Sequence, residues 1–320
     1  MPVPELHLQD RLTRLSLAPT LGASLVNWQV KASGQALLRH SDAAALASGS
    51  PRRLGCYLLA PWSNRIAEGG FQCPDGWLAL APNTDHDPYP IHGSAWHQPW
   101  QVDNVDDGHA RLSLDSQVPF AYHATLDVRL DEGCLTLELE VTHLDPRPTW
   151  HGLGFHPYFP RFADTRLLAP AQQVWVGDEG QLPSRQATIP PQWCFDTPQA
   201  LPSEVVDHAF SGWQGACSII QPTAGYRLDC HARGADHYLL YCPQGQGFFC
   251  FEPVSHPINA HHLPDRPGLR LLRQHERLHL GFSLQYQALA PTENVKGAAS
   301  SPFDTNATGS TARAEHHLRL

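Results

Sequence analysis

The chain has 320 residues, of which 42% are hydrophobic and 17% charged, and its formal net charge is −9. That much apolar material describes a folded protein with a sizeable core, built as one large β domain or two smaller ones. The acidic balance, with no basic block, argues against nucleic-acid binding, and the lack of any apolar run of roughly 18 residues argues against a membrane span. The N-terminal stretch from Met1 to Leu15 has no uninterrupted apolar core of signal-peptide type, which points to a cytoplasmic protein. Eight cysteines, at positions 56, 73, 134, 194, 217, 230, 242 and 250, contain no C-x-x-C pair and read as reduced thiols.

Strand patterns recur along the chain. Leu12-Thr13-Arg14-Leu15-Ser16-Leu17 is close to alternating. Ser41 to Ala47 reads as a short helix with Ser41 as its cap. Ala110 to Leu114, Thr125 to Leu130 and Leu135 to Val141 alternate cleanly between apolar and polar, the mark of strands with one buried face. Asp131-Glu132-Gly133, between two of these runs, reads as a hairpin turn. Tyr238 to Tyr241, Gly247 to Phe251, Arg277 to Leu280 and Phe282 to Gln287 are further strands. The 29 prolines and 24 glycines favour turns, and helical periodicity is nearly absent. The fold class is therefore all-β, a large antiparallel β-sandwich, with residues 1–289 as one domain. Residues 290–320 are rich in Ala, Ser, Thr, Gly and Asn without apolar period, and are expected to form a disordered tail.

Five segments break the strand pattern with chemistry-bearing residues. Pro61 to Ile66 places Asn64 beside Arg65, an amide and a planar fork of donors suited to sugar hydroxyls or a carboxylate. Ile91 to Trp100 combines His92 and Gly93 with Trp96 and Trp100; indole faces suit the C–H faces of sugars, although taken alone the segment reads more readily as a core aromatic cluster. His151 to Phe159 holds His156 beside Pro157, whose missing N–H implies an edge, a bulge or a strand end. Leu201 to Phe210 contains Asp207, an acceptor for hydroxyls or a plain turn residue. Phe248 to Pro253 ends an apolar strand on Glu252, a placement that burial turns into a base working near neutral pH and exposure into an ordinary surface carboxylate.

Twenty histidines raise the question of a metal. No H-E-x-x-H or H-x-H pattern occurs, and neither the cluster of His256, His261 and His262 nor the pair His92 and His97 makes a closed ligand set, so no metal is expected. No G-x-S-x-G elbow supports a serine nucleophile.

Taken in order, these segments resemble the aldose 1-epimerase (galactose mutarotase-like) family over about residues 10–289. The resemblance is carried by Leu21-Gly22-Ala23 with Trp28, Asn64-Arg65-Ile66, His92-Gly93, His156-Pro157-Tyr158-Phe159, the Val176 to Pro183 stretch, Asp207 and Glu252. It implies an antiparallel supersandwich with one open sugar cleft, His156 as general acid, Glu252 as general base, and Arg65, His92 and Asp207, with Asn64 beside them, as sugar-binding groups. It implies no cofactor and a small-molecule sugar as partner, and is silent on oligomeric state. Exchange of α and β anomers needs one base for the C1 hydroxyl and one acid for the ring oxygen, expected on opposite sides of the C1–O5 unit with a pyranose between them.

The sequence departs from the family pattern at two points. Phosphate-type relatives carry an Arg within an H-G-F-A-R segment, where this chain has Trp96, which favours an unphosphorylated aldose such as galactose or glucose. Phe155 stands where an Asn is common. Two alternatives stand beside this reading: a hexose-6-phosphate mutarotase with Arg52 and Arg53 as phosphate ligands, and a sugar-binding sandwich without turnover.

Overall fold

The computed structural model describes residues 3–177 and 182–290. Expectations for the tail from 291 onward, and for Asp178 to Gln181, lie outside the described residues. A ten-stranded and a nine-stranded antiparallel sheet share one apolar core. The alternation read in the sequence is what builds it. In Tyr122–Asp131 and Cys134–His143 every second residue is buried, and the two strands pair from Tyr122 opposite His143 to Asp131 opposite Cys134. Glu132 and Gly133 close this hairpin with φ of 46° and 76°, the left-handed values that a two-residue turn requires. Arg277 to Leu280 and Phe282 to Gln287 join into one strand, Arg277–Ala288, because Gly281 continues the ladder against Glu138 and Arg233.

Helix is confined among the described residues to Ala43–Ala47 and four short 3-10 turns. The helix cap is Asp42, not Ser41: the Asp42 carboxylate accepts from the Ala45 N–H at 2.7 Å, while the Ser41 hydroxyl donates to the Val26 carbonyl at 2.8 Å. All eight cysteines are free thiols. No helix among the described residues is long and apolar enough to cross a membrane.

Five strands of the larger sheet position the site: β1 (Cys56–Leu59), β2 (Gly154–Pro160), β3 (Val206–Ser211), β4 (His237–Cys242) and β5 (Phe248–Val254). They lie side by side in the order β1, β2, β5, β4, β3. Period-two geometry divides each strand between two destinations. Phe155 and Phe159 of β2, and Phe249 and Phe251 of β5, enter the core between the sheets; Phe155 reaches Phe282 of the opposite sheet at 6.1 Å between ring centroids. Tyr158 and Cys250 join a second cluster on the outer face, with Tyr57, Trp96, Trp175 and Leu239.

Pro157 and Glu252 do not lie at strand ends. Both are interior to their strands, and Glu252 is paired with Leu239 of β4. Between β2 and β5 the pairs Gly154–Val254 and Tyr158–Cys250 are formed and none lies between them. Pro157 and Pro253 fall inside this gap and have no N–H to give, so the ladder is interrupted in mid-sheet rather than ended.

Candidate active site

Midway between those two pairs, on the outward face, stand His156 and Glu252. Their Nε2 and Oε1 atoms are 3.2 Å apart. His156 is 7% exposed and Glu252 2%. The expected separation of acid and base by a sugar ring is therefore corrected: the two groups are direct neighbours on the floor of one cleft, with no room for a ring between them. The cleft has a volume of about 650 Å³, within the range of small-molecule sites. Asn64, Arg65, His92, Asp207 and Tyr241 line it together with the pair. His156, Glu252, Asn64, Arg65, His92 and Asp207 thus all line one cavity.

Aromatic rings hold His156. Tyr57, its registered neighbour on β1, stacks on the imidazole at 4.5 Å, and Tyr158 stacks at 4.8 Å. His92 presents its edge at 5.4 Å. Nδ1 of His156 and Oε2 of Glu252 are buried and have no hydrogen-bond partner among the described residues. A polar ligand gains most at such atoms, because their desolvation has already been met.

The loop residues explain one another. Asn64 and His92 both adopt left-handed backbone, with φ of 57° and 63°. The His92 N–H donates to the Asn64 carbonyl at 3.1 Å, and the Asn64 N–H donates to His92 Nδ1 at 3.0 Å. Since Nδ1 accepts, the ring proton of neutral His92 lies on Nε2, which leaves that nitrogen a donor. Burial holds His92 well below the usual histidine range, so it stays a neutral donor. Arg65 donates from Nε to Asp87 at 2.7 Å and lies 3.8 Å from Asp207.

Burial dominates the protonation of the pair. It pushes Glu252 well above the carboxylate range, helped by the nearby Asp207 charge and opposed by Arg65 and Arg52. It pushes His156 down, with the Arg52 charge adding to the effect. Asp207 is also raised by burial, against the pull of Arg65. The mutual contact opposes both shifts by favouring an imidazolium–carboxylate pair. Either arrangement leaves one proton shared by the two groups, and their titrations belong to the pair rather than to either residue.

Several other aromatic and histidine residues of these segments lie outside the cleft. Trp96 and Trp100 do not line the cleft; their indoles donate to the carbonyls of Gly93 and Ala95, and Trp96 packs behind Tyr57. Trp62 joins a separate buried cluster with Ile66 and Phe71. The indole that lines the cleft is Trp175. Trp96 therefore offers no indole face to a ligand in the cleft. His151 pairs with His143 at 3.0 Å, away from the cleft, and His256 spends its nitrogens on the Ser63 N–H and the Pro257 carbonyl. Among the described residues one group of metal-ligating types converges, His156 with Cys250 and Glu252, and burial keeps the Cys250 thiol protonated. Asp87, Tyr57, Arg39 and Tyr158 had no signal of their own as ligands: Asp87 lies in a turn-rich stretch, and the two tyrosines look like ordinary strand aromatics.

A large antiparallel sandwich with a polar cleft on the outer face of its larger sheet defines a galactose mutarotase-like fold. The chain belongs to the aldose 1-epimerase family, whose profile matches residues 5–285. It is 29% identical over 252 residues to the uncharacterised protein YphB of Escherichia coli K12, an alignment covering 76% of this chain and 87% of that one. A crystal structure of a candidate aldose 1-epimerase from Escherichia coli K12 superposes with a TM-score of 0.84 at 27% identity, over 89% of this chain and 99% of that one. Galactose 1-epimerase from Lactobacillus acidophilus shares the fold, with a TM-score of 0.72 at 18% identity over 89% and 95% of the two chains.

Proposed function

We propose that this protein interconverts the α and β anomers of aldohexoses of the galactose or glucose type, by acid–base catalysis at His156 and Glu252. The observation that carries the reading is the 3.2 Å contact between the two groups on the cleft floor. The hydroxyl to be deprotonated and the ring oxygen to be protonated are bonded to the same carbon, C1. An acid and a base that serve both must be neighbours, as these are.

In ring opening the Glu252 carboxylate takes the proton from the C1 hydroxyl. The C1–O5 bond breaks, its electron pair goes to O5, and the His156 imidazolium protonates that oxygen. The pair is then carboxylic acid and neutral imidazole, and the sugar is an open aldehyde. Rotation about C1–C2 presents the other carbonyl face. His156 takes the O5 proton as the C1–O5 bond re-forms, and Glu252 returns its proton to the former carbonyl oxygen. The pair carries one proton throughout, and the opening step moves it from His156 to Glu252. Burial, which favours the neutral partners, stabilises the pair in the form it takes while the sugar is open.

On this reading His92, a neutral donor at Nε2, binds a ring substituent. Arg65, fixed by Asp87, and Asp207 offer hydroxyl contacts at the far side. Such positioning supplies much of the rate. The test is polarimetric: fresh pure anomers of galactose and glucose are followed to equilibrium with and without the protein. Faster relaxation supports the reading, and an unchanged rate across aldoses, neutral and anionic, overturns it.

A further inference from the structure

A third group stands beside the acid–base pair and has no part in the acid–base steps. Cys250 lies two residues before Glu252 on β5, so the two side chains share the outward face. Its registered neighbours are Tyr158 on β2 and Tyr241 on β4. The thiol is fully buried and packs in one cluster with Tyr57 and Tyr158.

One ligating atom from each of His156, Cys250 and Glu252 lies within 4.8 Å of the other two. Nitrogen, sulfur and oxygen together are the donors that a zinc-type ion takes, whereas Mg²⁺ and Ca²⁺ prefer oxygen alone. Around a tetrahedral ion bound at about 2.0–2.3 Å, such donors stand about 3.3–3.6 Å apart. Nε2 of His156 and Oε1 of Glu252 are at 3.2 Å already. The Cys250 sulfur has at most about 1.5 Å to close. Oε2 of Glu252, buried without a hydrogen-bond partner among the described residues, is a further oxygen that an ion would satisfy. His156 and Glu252 line the cleft and Cys250 does not, so an ion held by all three turns its fourth position to the cleft. Three protein ligands with one exchangeable position is the pattern of open zinc sites. No spacing motif marks this set, because two ligands share one strand and the third arrives through the register of β2 on β5.

Charge decides whether a buried floor accepts such an ion. In the metal-free protein burial keeps the proton on the Cys250 thiol, and the pair holds one more. Binding releases both protons and leaves thiolate, carboxylate and neutral imidazole around a divalent cation. The floor is neutral before and after. Arg39, stacked on the Tyr158 ring at 3.6 Å, repels a cation there, as do Arg52 and Arg65, while Asp207 attracts it. Because two protons leave as one divalent ion enters, these charges weigh alike on the two forms. The acid–base pair cannot work with the ion present, since both groups are coordinated and their shared proton is gone.

We propose that Cys250, His156 and Glu252 form a site for a zinc-type divalent ion, and that its occupancy reversibly shuts off the acid–base pair. The ion is an inhibitor here, not a cofactor. The loss of activity rests on the mutarotase reading; the binding does not.

Binding and activity are measured separately on the full chain, first stripped with a chelator. Co²⁺ is the spectroscopic probe, since a coordinated thiolate gives a charge-transfer band in the near ultraviolet, and Cys250→Ala isolates that sulfur from those of the other cysteines. The wild type is expected to bind one Co²⁺ per chain with this band, to exchange it for Zn²⁺, and to release about two protons per ion in calorimetry repeated in buffers of different ionisation enthalpy. Cys250→Ala is expected to lose the band and to weaken Zn²⁺ binding by more than about 10-fold. For the aldose that the wild type accelerates most, Zn²⁺ is expected to cut the exchange rate about 10²-fold or more, the loss that follows when an acid and a base are both removed. A chelator is expected to restore the rate, and Mg²⁺ to leave it unchanged. The ratio of rates with and without Zn²⁺ is independent of how much variant folds, and in Cys250→Ala it is expected to stay near one at Zn²⁺ concentrations that silence the wild type. A missing band, or one that Cys250→Ala keeps, overturns the site and leaves the mutarotase reading standing. Binding at Cys250 with an undiminished or raised rate overturns the shut-off. No acceleration of any sugar by the metal-free protein overturns the mutarotase reading, and the cobalt spectrum still decides the site.

Discussion

Replacing Glu252 by Gln separates its chemistry from its packing. The side chain is 2% exposed, and Gln has nearly the shape of a protonated Glu. Loss of a general base costs about 10²- to 10⁴-fold in kcat. Stability is expected to behave in the opposite way. Burial raises the folded-state pKa of Glu252, so its contribution is present below the unfolded value and lost as pH rises toward the folded one. Burial lowers that of His156, so its contribution is present above the unfolded value near 6.5 and lost as pH falls. Between the two unfolded values the effects cancel, because folded and unfolded chains each hold one proton on the pair. Above about pH 6.5 only Glu252 counts, and the wild type loses about 1.4 kcal/mol per pH unit until the pair releases its proton. Glu252→Gln has no such loss. Chemical denaturation at pH 6.5 and 8.5, paired with anomer-exchange rates, reads both effects. The variant is expected to be nearly inactive at both values and to gain on the wild type in stability at the higher one. Parallel stability curves would refute the protonation argument, and near-normal kcat would remove Glu252 as the base.

The pH–rate profile of the wild type is expected to be bell-shaped, falling in acid as the pair takes a second proton and in alkali as it loses its last; a rate that only rises with pH contradicts a one-proton pair. Arg65→Ala leaves Asp87 buried and unpaired, and is expected to cost about 3 kcal/mol in denaturation while raising KM; an unchanged midpoint would show that the ion pair is not structural. Gly93→Ala tests the His92 loop: φ is 69° and a Cβ would lie 2.1 Å from the Ala60 carbonyl oxygen, so a loss of at least about 2 kcal/mol and a lower kcat are expected from unfolding and rate measurements.

Much of the architecture was legible because it depends on period-two alternation, which is local. Thr125 to Leu130 and Leu135 to Val141 could be paired through their turn, and that hairpin is present. The alternation of Phe155, His156, Pro157, Tyr158 and Phe159 also contains the reason His156 faces away from the core. What could not be read was register across nearly a hundred residues. Pro157 and Pro253 looked like strand ends; in the sheet they interrupt one ladder in its middle and place His156 opposite Glu252. The same limit made a sugar between the two groups look reasonable. Trp96 stayed open between burial and sugar contact because an indole signals both, and its bond to Gly93 and its place behind Tyr57 decide for burial. Asp87 and Arg39 act through loops and stacking that carry no periodic mark.

The central claim is that a neighbouring His–Glu pair carrying one proton exchanges sugar anomers. Saturation-transfer NMR on an equilibrated aldose measures that exchange directly, by irradiating the α anomeric proton and reading the β signal. With the wild type, transfer is expected to rise well above the buffer rate for at least one aldose of the neutral and anionic series, and to return to that rate with Glu252→Gln. Transfer indistinguishable from buffer for every sugar, or undiminished in the variant, would contradict the account.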